Sequence, residues 1–182
     1  MKSILEDIRE RRLYLDGGMG SMLQAAGMPE GILPDVWGMR NPEVVRGIHR
    51  QYLEAGSRLI TANTFGTTPH KVASYGVTCE EVVMAAVGNI RAAMEETGVT
   101  DAYVMMDIGP TGKLLKPYGD LDFEDAVSLF AEPIRAAQKA GADAILIETM
   151  SDLYEMKAAV VAAKENCDLP IFASLIFEST GK

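Results

Sequence analysis

Short apolar runs that stop at a polar side chain and then turn through glycine recur along this chain. Leu13-Tyr14-Leu15 stops at Asp16 and turns through Gly17, Gly18 and Gly20. The run from Arg58 to Ala62 stops at Asn63-Thr64 and reaches Gly66. Ala102 to Met106 stops at Asp107 and reaches Gly109, and Ala144 to Ile147 stops at Glu148-Thr149. Pro170 to Phe177 is a fifth run. Between the runs, apolar residues return at helical spacing. Val44, Val45, Ile48, Tyr52 and Leu53 follow Asn41-Pro42, a capping residue type with proline at the first helical position, and Gly56 closes that helix. The spacing predicts further helices over 80–96, ended by Gly98, and over 122–140, capped by Asp122, kinked at Pro133 and ended by Gly141. Another runs from a Ser151 cap to Glu165. Met1 to Arg12 reads as a short amphipathic helix and Ser21 to Ala26 as one or two helical turns. Residues 28–40 carry Pro29, Gly31, Pro34 and Gly38 and read as a loop anchored by Trp37.

Five strands alternate with helices, and the early strands begin about 45 residues apart. Helical crossovers make such strands parallel. The layout Ala55-Gly56-Ser57-Arg58-Leu59-Ile60 returns as Ala140-Gly141-Ala142-Asp143-Ala144-Ile145, a helix end feeding a buried strand. A doubly wound open sheet and a (β/α)8 TIM barrel both fit this rhythm. The open sheet would gather its polar strand ends at one switch point, whereas a barrel carries them all around its top face. Polar residues at successive strand ends therefore favour the barrel. A whole barrel takes about 250 residues, so 182 residues are expected to give about the first five βα units, a partial barrel forming a single domain over 1–182.

Composition narrows the partners. The net charge of −9 argues against nucleic acid and against an anionic membrane surface, both of which need a basic face. No apolar run approaches the roughly 20 residues of a membrane span, and the charged N-terminus is unlike a signal peptide. Cys79 and Cys167 have no framework spacing, which points to a reducing cytoplasm. Neither belongs to a Cys-x-x-Cys or Cys/His pair, so neither is a metal candidate. His49 lies inside a helix and reads as packing; His70 follows the second strand in a loop. Gly109-Pro-Thr-Gly112-Lys113 lacks phosphate-loop spacing and has Leu114 where a hydroxyl is required. No nucleophile-and-base set is visible.

What remains is a ring of polar strand ends: Asp16, Asn63, Asp107 and Glu148. In a barrel these converge on one mouth. Several acids in a partly dry mouth are costly without a positive group among them. A ligand ammonium, a metal ion or a lysine would each serve, while an acid at a strand end also has the plainer use of capping the next helix.

Leu15-Asp16-Gly17-Gly18-Met19-Gly20-Ser21-Met22-Leu23-Gln24 resembles the opening motif of the homocysteine S-methyltransferase family, in particular the homocysteine-binding barrel of cobalamin-dependent methionine synthase. Asn41-Pro42-Glu43-Val44-Val45, Ile48-His49-Arg50, Tyr52-Leu53-Glu54-Ala55-Gly56, Thr61-Ala62-Asn63-Thr64-Phe65-Gly66, Ile108-Gly109-Pro110-Thr111-Gly112 and Leu146-Ile147-Glu148-Thr149 resemble it too. The similarity runs from Leu13 to Lys182 and covers the front part of the family domain. It implies a TIM barrel that binds homocysteine at its mouth. It also implies a zinc ion held by three cysteines of later strands, which this chain does not contain, and a methyl group supplied by a corrinoid or folate-linked partner domain. Family positions matching Asp16 and Glu148 hold the substrate amino group, those matching Asn63 and Thr64 line the pocket, and Gly17 and Gly18 complete the motif around it.

The resemblance thus implies a zinc-dependent methyltransferase of which this chain carries the substrate-binding part, as a fragment, a truncated product or one half of a split enzyme. An open barrel edge would favour self-association. Two other readings stand beside it: a non-catalytic barrel acting as a binding or assembly module, and a corrinoid-linked amine or betaine methyltransferase.

Overall fold

The structure, a computed structural model, describes residues 2–177 and Ser179. Met1 of the expected N-terminal helix and residues 178 and 180–182 of the expected domain lie outside the described residues. Four strands, β1 (Leu59–Thr61), β2 (Tyr103–Ile108), β3 (Ala144–Met150) and β4 (Ile171–Leu175), form one sheet in the order β1-β2-β3-β4 with every neighbouring pair parallel. The helices are α1 (Ile4–Glu10), α2 (Met19–Ala25), α3 (Pro34–Arg40), α4 (Pro42–Glu54), α5 (Pro69–Val72), α6 (Cys79–Thr97), α7 (Phe123–Ala140) and α8 (Leu153–Asn166). Sequential order in space with helical crossovers is the barrel arrangement, here as a partial barrel.

The expected strand before Asp16 is reduced to a single bridge, Leu15 beside Leu59. Its alignment is nevertheless that of a strand: the Asp16 amide donates to the Leu59 carbonyl, and the Arg58 and Leu59 amides donate to the Tyr14 carbonyl. Three glycines in the four positions after Asp16 leave nothing to extend the ladder.

Strand alternation divides the side chains between two layers. Ile60, Val104, Met106, Ile108, Ile145 and Ile147 face outward and pack in one large core with the apolar faces of α4, α6, α7 and α8. Tyr103, Met105, Ala144 and Leu146 face inward, against Ile4 of α1 and Leu13, Leu59 and Phe172. Buried on both faces, β2 reads as a continuous apolar run up to Asp107, as parallel strands do. Helix α1, fixed by a Ser3/Glu6 capping box, lies against the inner layer, where the Tyr103 hydroxyl donates to Asp7 at 3.0 Å. Gly98 and Gly141 end α6 and α7 in the left-handed region, φ 70° and 79°.

Several local readings changed. Residues 34–40, expected as loop, form α3, with Pro34 in its first turn. Asn41 does not cap α4; its side-chain amide donates backward to the Trp37 carbonyl at 2.8 Å and closes α3. Asp122 makes no capping bond, its carboxylate being taken by Lys116. Asp152, not Ser151, caps α8 by accepting the Tyr154 amide at 2.7 Å. Helix α7 runs as one element through Pro133.

Candidate functional site

The last inward-facing positions of the strands are the polar ones. Leu59 and Thr61 share one face of β1, Met105 and Asp107 one face of β2, and Leu146 and Glu148 one face of β3. Each strand therefore carries an apolar side chain into the inner layer and a polar one just above it. Above that layer opens a cleft of about 610 Å³ at the carboxyl ends of the strands, lined among others by Asp16, Asp35, Asn63, Lys71, Asp107 and Glu148. That volume suits a small metabolite.

The walls are kept open by close packing behind them. A Cβ on Gly17 would stand 2.8 Å from the Tyr52 hydroxyl, which itself donates to the Gly18 carbonyl at 3.2 Å. The Gly17-Gly18 wall is thus bare backbone braced by an aromatic ring from α4. On the opposite side Phe65, 41% exposed, lies over Gly109, where a Cβ would meet the ring at 2.5 Å.

Four carboxyl groups face this space. Asp16 accepts two bonds from one residue: the Thr61 hydroxyl at 2.9 Å and the Thr61 amide at 3.0 Å. Burial nevertheless lifts its pKa from 3.8 to about 7, opposed by the Thr61 bonds and helped by the charge of Glu148. Glu148 is half-buried and raised by desolvation. Asp107 is 7% exposed and raised well above the carboxylate range by burial, then by Glu148, Asp35 and Asp16. Asp35 is buried and also raised by desolvation, although it accepts the Gly66 amide at 2.9 Å and the Thr67 hydroxyl at 2.6 Å. The cleft also holds Lys71, whose ammonium donates to the Pro110 carbonyl at 3.1 Å and whose pKa is lowered by desolvation. Four acids resisting ionisation around one committed lysine make a site that favours an incoming cation.

Asp16, Gly17, Gly18, Asn63 and Glu148, expected at the site, all line the cleft. Asn63 also works behind it: its amide donates to the Pro34 carbonyl at 2.9 Å and packs on Gly38, where a Cβ would come within 2.3 Å. Thr64 is 1% exposed and outside the lining; its hydroxyl donates to the Asp107 carbonyl at 2.8 Å and so fixes the end of β2. Sequence reasoning missed Asp35, because 28–40 read as loop, and Lys71, which stands on the short α5 beyond the Asn63-Thr64 motif. Pro34 followed by Asp35 was the available signal, proline and an acid both favouring the first turn of a helix.

No group of three or more His, Cys, Asp and Glu among the described residues is placed to hold a metal ion. Cys79 is buried, its thiol pushed up by desolvation, and Cys167 donates to the Ala163 carbonyl; neither lines the cleft. A three-cysteine zinc centre therefore does not fit these side chains. His49 is wholly buried without a hydrogen-bond partner and held neutral, its pKa lowered to about 4. No helix among the described residues is long and apolar enough to cross a membrane.

Comparison with known proteins bears on the fold and the family. The chain is 30% identical to the methionine synthases of Mycobacterium tuberculosis and Mycobacterium leprae over 98% of its own length, and spans 16% of theirs. Its fold matches the homocysteine methyltransferase MmuM from Escherichia coli. The oxidized form gives a TM-score of 0.84 at 22% identity, covering 98% of this chain and 69% of that one. The metallated form gives 0.82 at 20%, covering 95% and 66%. Residues 13–182 match the family described as homocysteine S-methyltransferase, and the chain belongs to that family.

Proposed function

We propose that this chain is the homocysteine-binding part of a methyltransferase of the methionine synthase type, and that it holds the substrate by its ammonium group. The observation that carries the reading is the cleft at the strand ends, where Asp16 and Glu148 sit raised above their ordinary pKa and neither is ion-paired among the described residues, Lys71 of the same cleft donating to Pro110. An ammonium brought between them restores both carboxylates at once, and charge-assisted bonds in a half-buried site are worth ~1.5–3 kcal/mol each. Gly17 and Gly18 let the ligand backbone approach without a side chain between, and Asn63 keeps α3 against the rim. Thr64 supports from behind.

Transfer to homocysteine ends on its sulfur, so the thiol must be activated and a methyl carrier presented. The side chains described here do neither. In this reading zinc and a corrinoid or folate-linked partner belong to other parts of the enzyme, in the cytoplasm, and this chain binds and orients the amino acid. Isothermal titration of the purified protein with L-homocysteine and with glycine betaine tests it. Binding of homocysteine with little or no betaine binding is the expected result; tighter betaine binding would favour an amine-demethylating relative, and binding of neither would leave a non-catalytic assembly module.

A further inference from the structure

Asp107 differs from the other buried acid of the cleft in one respect. Asp35 is 3% exposed and its carboxylate accepts bonds from Gly66 and Thr67 that hold the loop after β1. Asp107 is buried to a similar degree, yet no donor among the described residues reaches its Oδ1. The Asp107 carbonyl accepts the Thr64 hydroxyl, and the Ile108 amide acts on the carboxylate without satisfying Oδ1. A buried acceptor without a donor is destabilising. Such a group is tolerated where something outside the fold completes it. Its position indicates what that is: the inward face of β2, between the Asp16 side of the mouth and Glu148 of β3, in the wall of the same cleft.

We propose that Asp107 is the third carboxylate of the ammonium site and the one that makes it specific for primary ammonium compounds, its carboxylate accepting an N–H of the ligand at the cleft wall. The inference rests on the ammonium reading given above and adds a residue and a selectivity to it. Asp16 and Glu148 alone attract any cation. A hydrogen bond to Asp107 requires a donor on the cation itself, which a quaternary ammonium lacks, and a methyl group in its place would set apolar atoms against the carboxylate. A primary ammonium has N–H groups to offer Asp107 beyond its attraction to Asp16 and Glu148. The charged groups facing Asp107 are Asp16, Glu148 and Asp35, all of which oppose its ionisation, with Lys71 the cleft's cation. A carboxyl raised by burial and by these neighbours gives up protons when an ammonium comes to rest among them.

The test compares wild type, Asp107→Asn and Asp107→Ala by calorimetry at pH 8, each titrated with L-homocysteine and with 4-mercaptobutanoate, which lacks only the amino group, in two buffers of different ionisation enthalpy. Expected for Asp107→Ala is a loss of about ten- to a hundredfold in homocysteine affinity, the worth of one bond to a charged group, with 4-mercaptobutanoate unaffected. Both variants should release fewer protons on binding homocysteine than wild type, and Asp107→Asn should retain part of the affinity through its carbonyl oxygen. Thermal melting should show both variants at least as stable as wild type. Wild-type affinity and proton release in both variants would overturn the role of Asp107 alone, as would parallel loss of both ligands with a lowered melting temperature. Equal wild-type affinity for homocysteine and 4-mercaptobutanoate would overturn the ammonium reading itself.

Discussion

Replacing Asp16 by Asn separates the charge of the site from its scaffold. The two bonds from Thr61 can both survive: the new amide oxygen takes the Thr61 amide, and the new NH2 donates to the Thr61 hydroxyl oxygen. With the carboxyl held at about 7 instead of 3.8, the wild-type group is half charged near neutral pH. An ammonium ligand selects the charged form. Through this group alone, apparent Kd for homocysteine should therefore rise about tenfold for each pH unit below 7 and level off above it. At pH 8, where wild-type Asp16 is charged, Asp16→Asn should weaken binding by about ten- to a hundredfold, from ~1.5–3 kcal/mol for the lost charge-assisted bond. The pH slope should become shallower, with Glu148 and Asp107 supplying the remainder. The bare fold should respond in the opposite sense. An acid whose pKa is raised on folding binds more protons folded than unfolded between 3.8 and about 7, so its contribution to stability is lost as pH climbs through that window. The full interval corresponds to ~4 kcal/mol at 1.36 kcal/mol per pH unit; because Asp16 faces an open cleft, screening reduces this to ~1–2 kcal/mol. Asp16→Asn should accordingly be more stable than wild type at pH 8 and should bind worse. Calorimetric titrations from pH 5.5 to 8.5, paired with urea unfolding over the same range, measure both. Unchanged affinity and slope in the variant, or a loss of stability at pH 8, would refute the reasoning.

Other perturbations follow from the same contacts. Asp35→Ala strips the acceptor from the buried Gly66 amide and Thr67 hydroxyl and should destabilise by ~2–4 kcal/mol in urea unfolding, with Asp35→Asn milder because one acceptor oxygen remains. His49→Leu should steady the acid limb of the stability curve. In wild type the imidazole stays neutral down to about 4 while the unfolded chain takes up its proton from 6.5 downward. Stability is therefore lost as pH falls through that interval, by ~2–3 kcal/mol, and identical acid limbs in the two proteins would contradict the burial argument. Gly109→Ala places a methyl group 2.5 Å from the Phe65 ring. The exposed ring should swing away, lowering homocysteine affinity severalfold while the melting temperature changes by only a few degrees.

The barrel rhythm was legible because parallel strands buried on both faces read as unbroken apolar runs, and because an inward polar residue at each strand end breaks the run at the mouth. Asp16, Asn63 and Glu148 could be found that way, and Asp107 with them. Asp35 and Lys71 could not, since they reach the cleft from short helices whose position depends on tertiary contacts: Asn63 drawing in Pro34, Lys71 tied to Pro110. Thr64 shows the converse. Its place in a strand-end motif suggested the pocket, but a one-residue change of direction turns its hydroxyl onto the Asp107 carbonyl behind the wall. The capping residues were misassigned for a related reason. Asn41 and Asp122 are of the right type in the right place, but each has a competing partner, Trp37 or Lys116, that sequence spacing does not rank.

The β3–β4 pairing shifts register between Ile147 and Met150, so that Glu148 and Thr149 together oppose Ser174. Thr149 there adopts φ 60°, a conformation costing a β-branched residue ~1–2 kcal/mol. It is held by its own amide on the Ser174 hydroxyl at 3.2 Å and by the Ile176 amide on the Met150 carbonyl at 2.9 Å. Release of β4 removes both of these restraints on Thr149, the chain neighbour of Glu148. The end of β3 and the whole of β4 thus form one cooperative opening unit, less stable than the sheet centre. In hydrogen exchange the amides of Thr149 and Ile176 should open together and ahead of those in β2. A ligand gripping Glu148 should slow both equally.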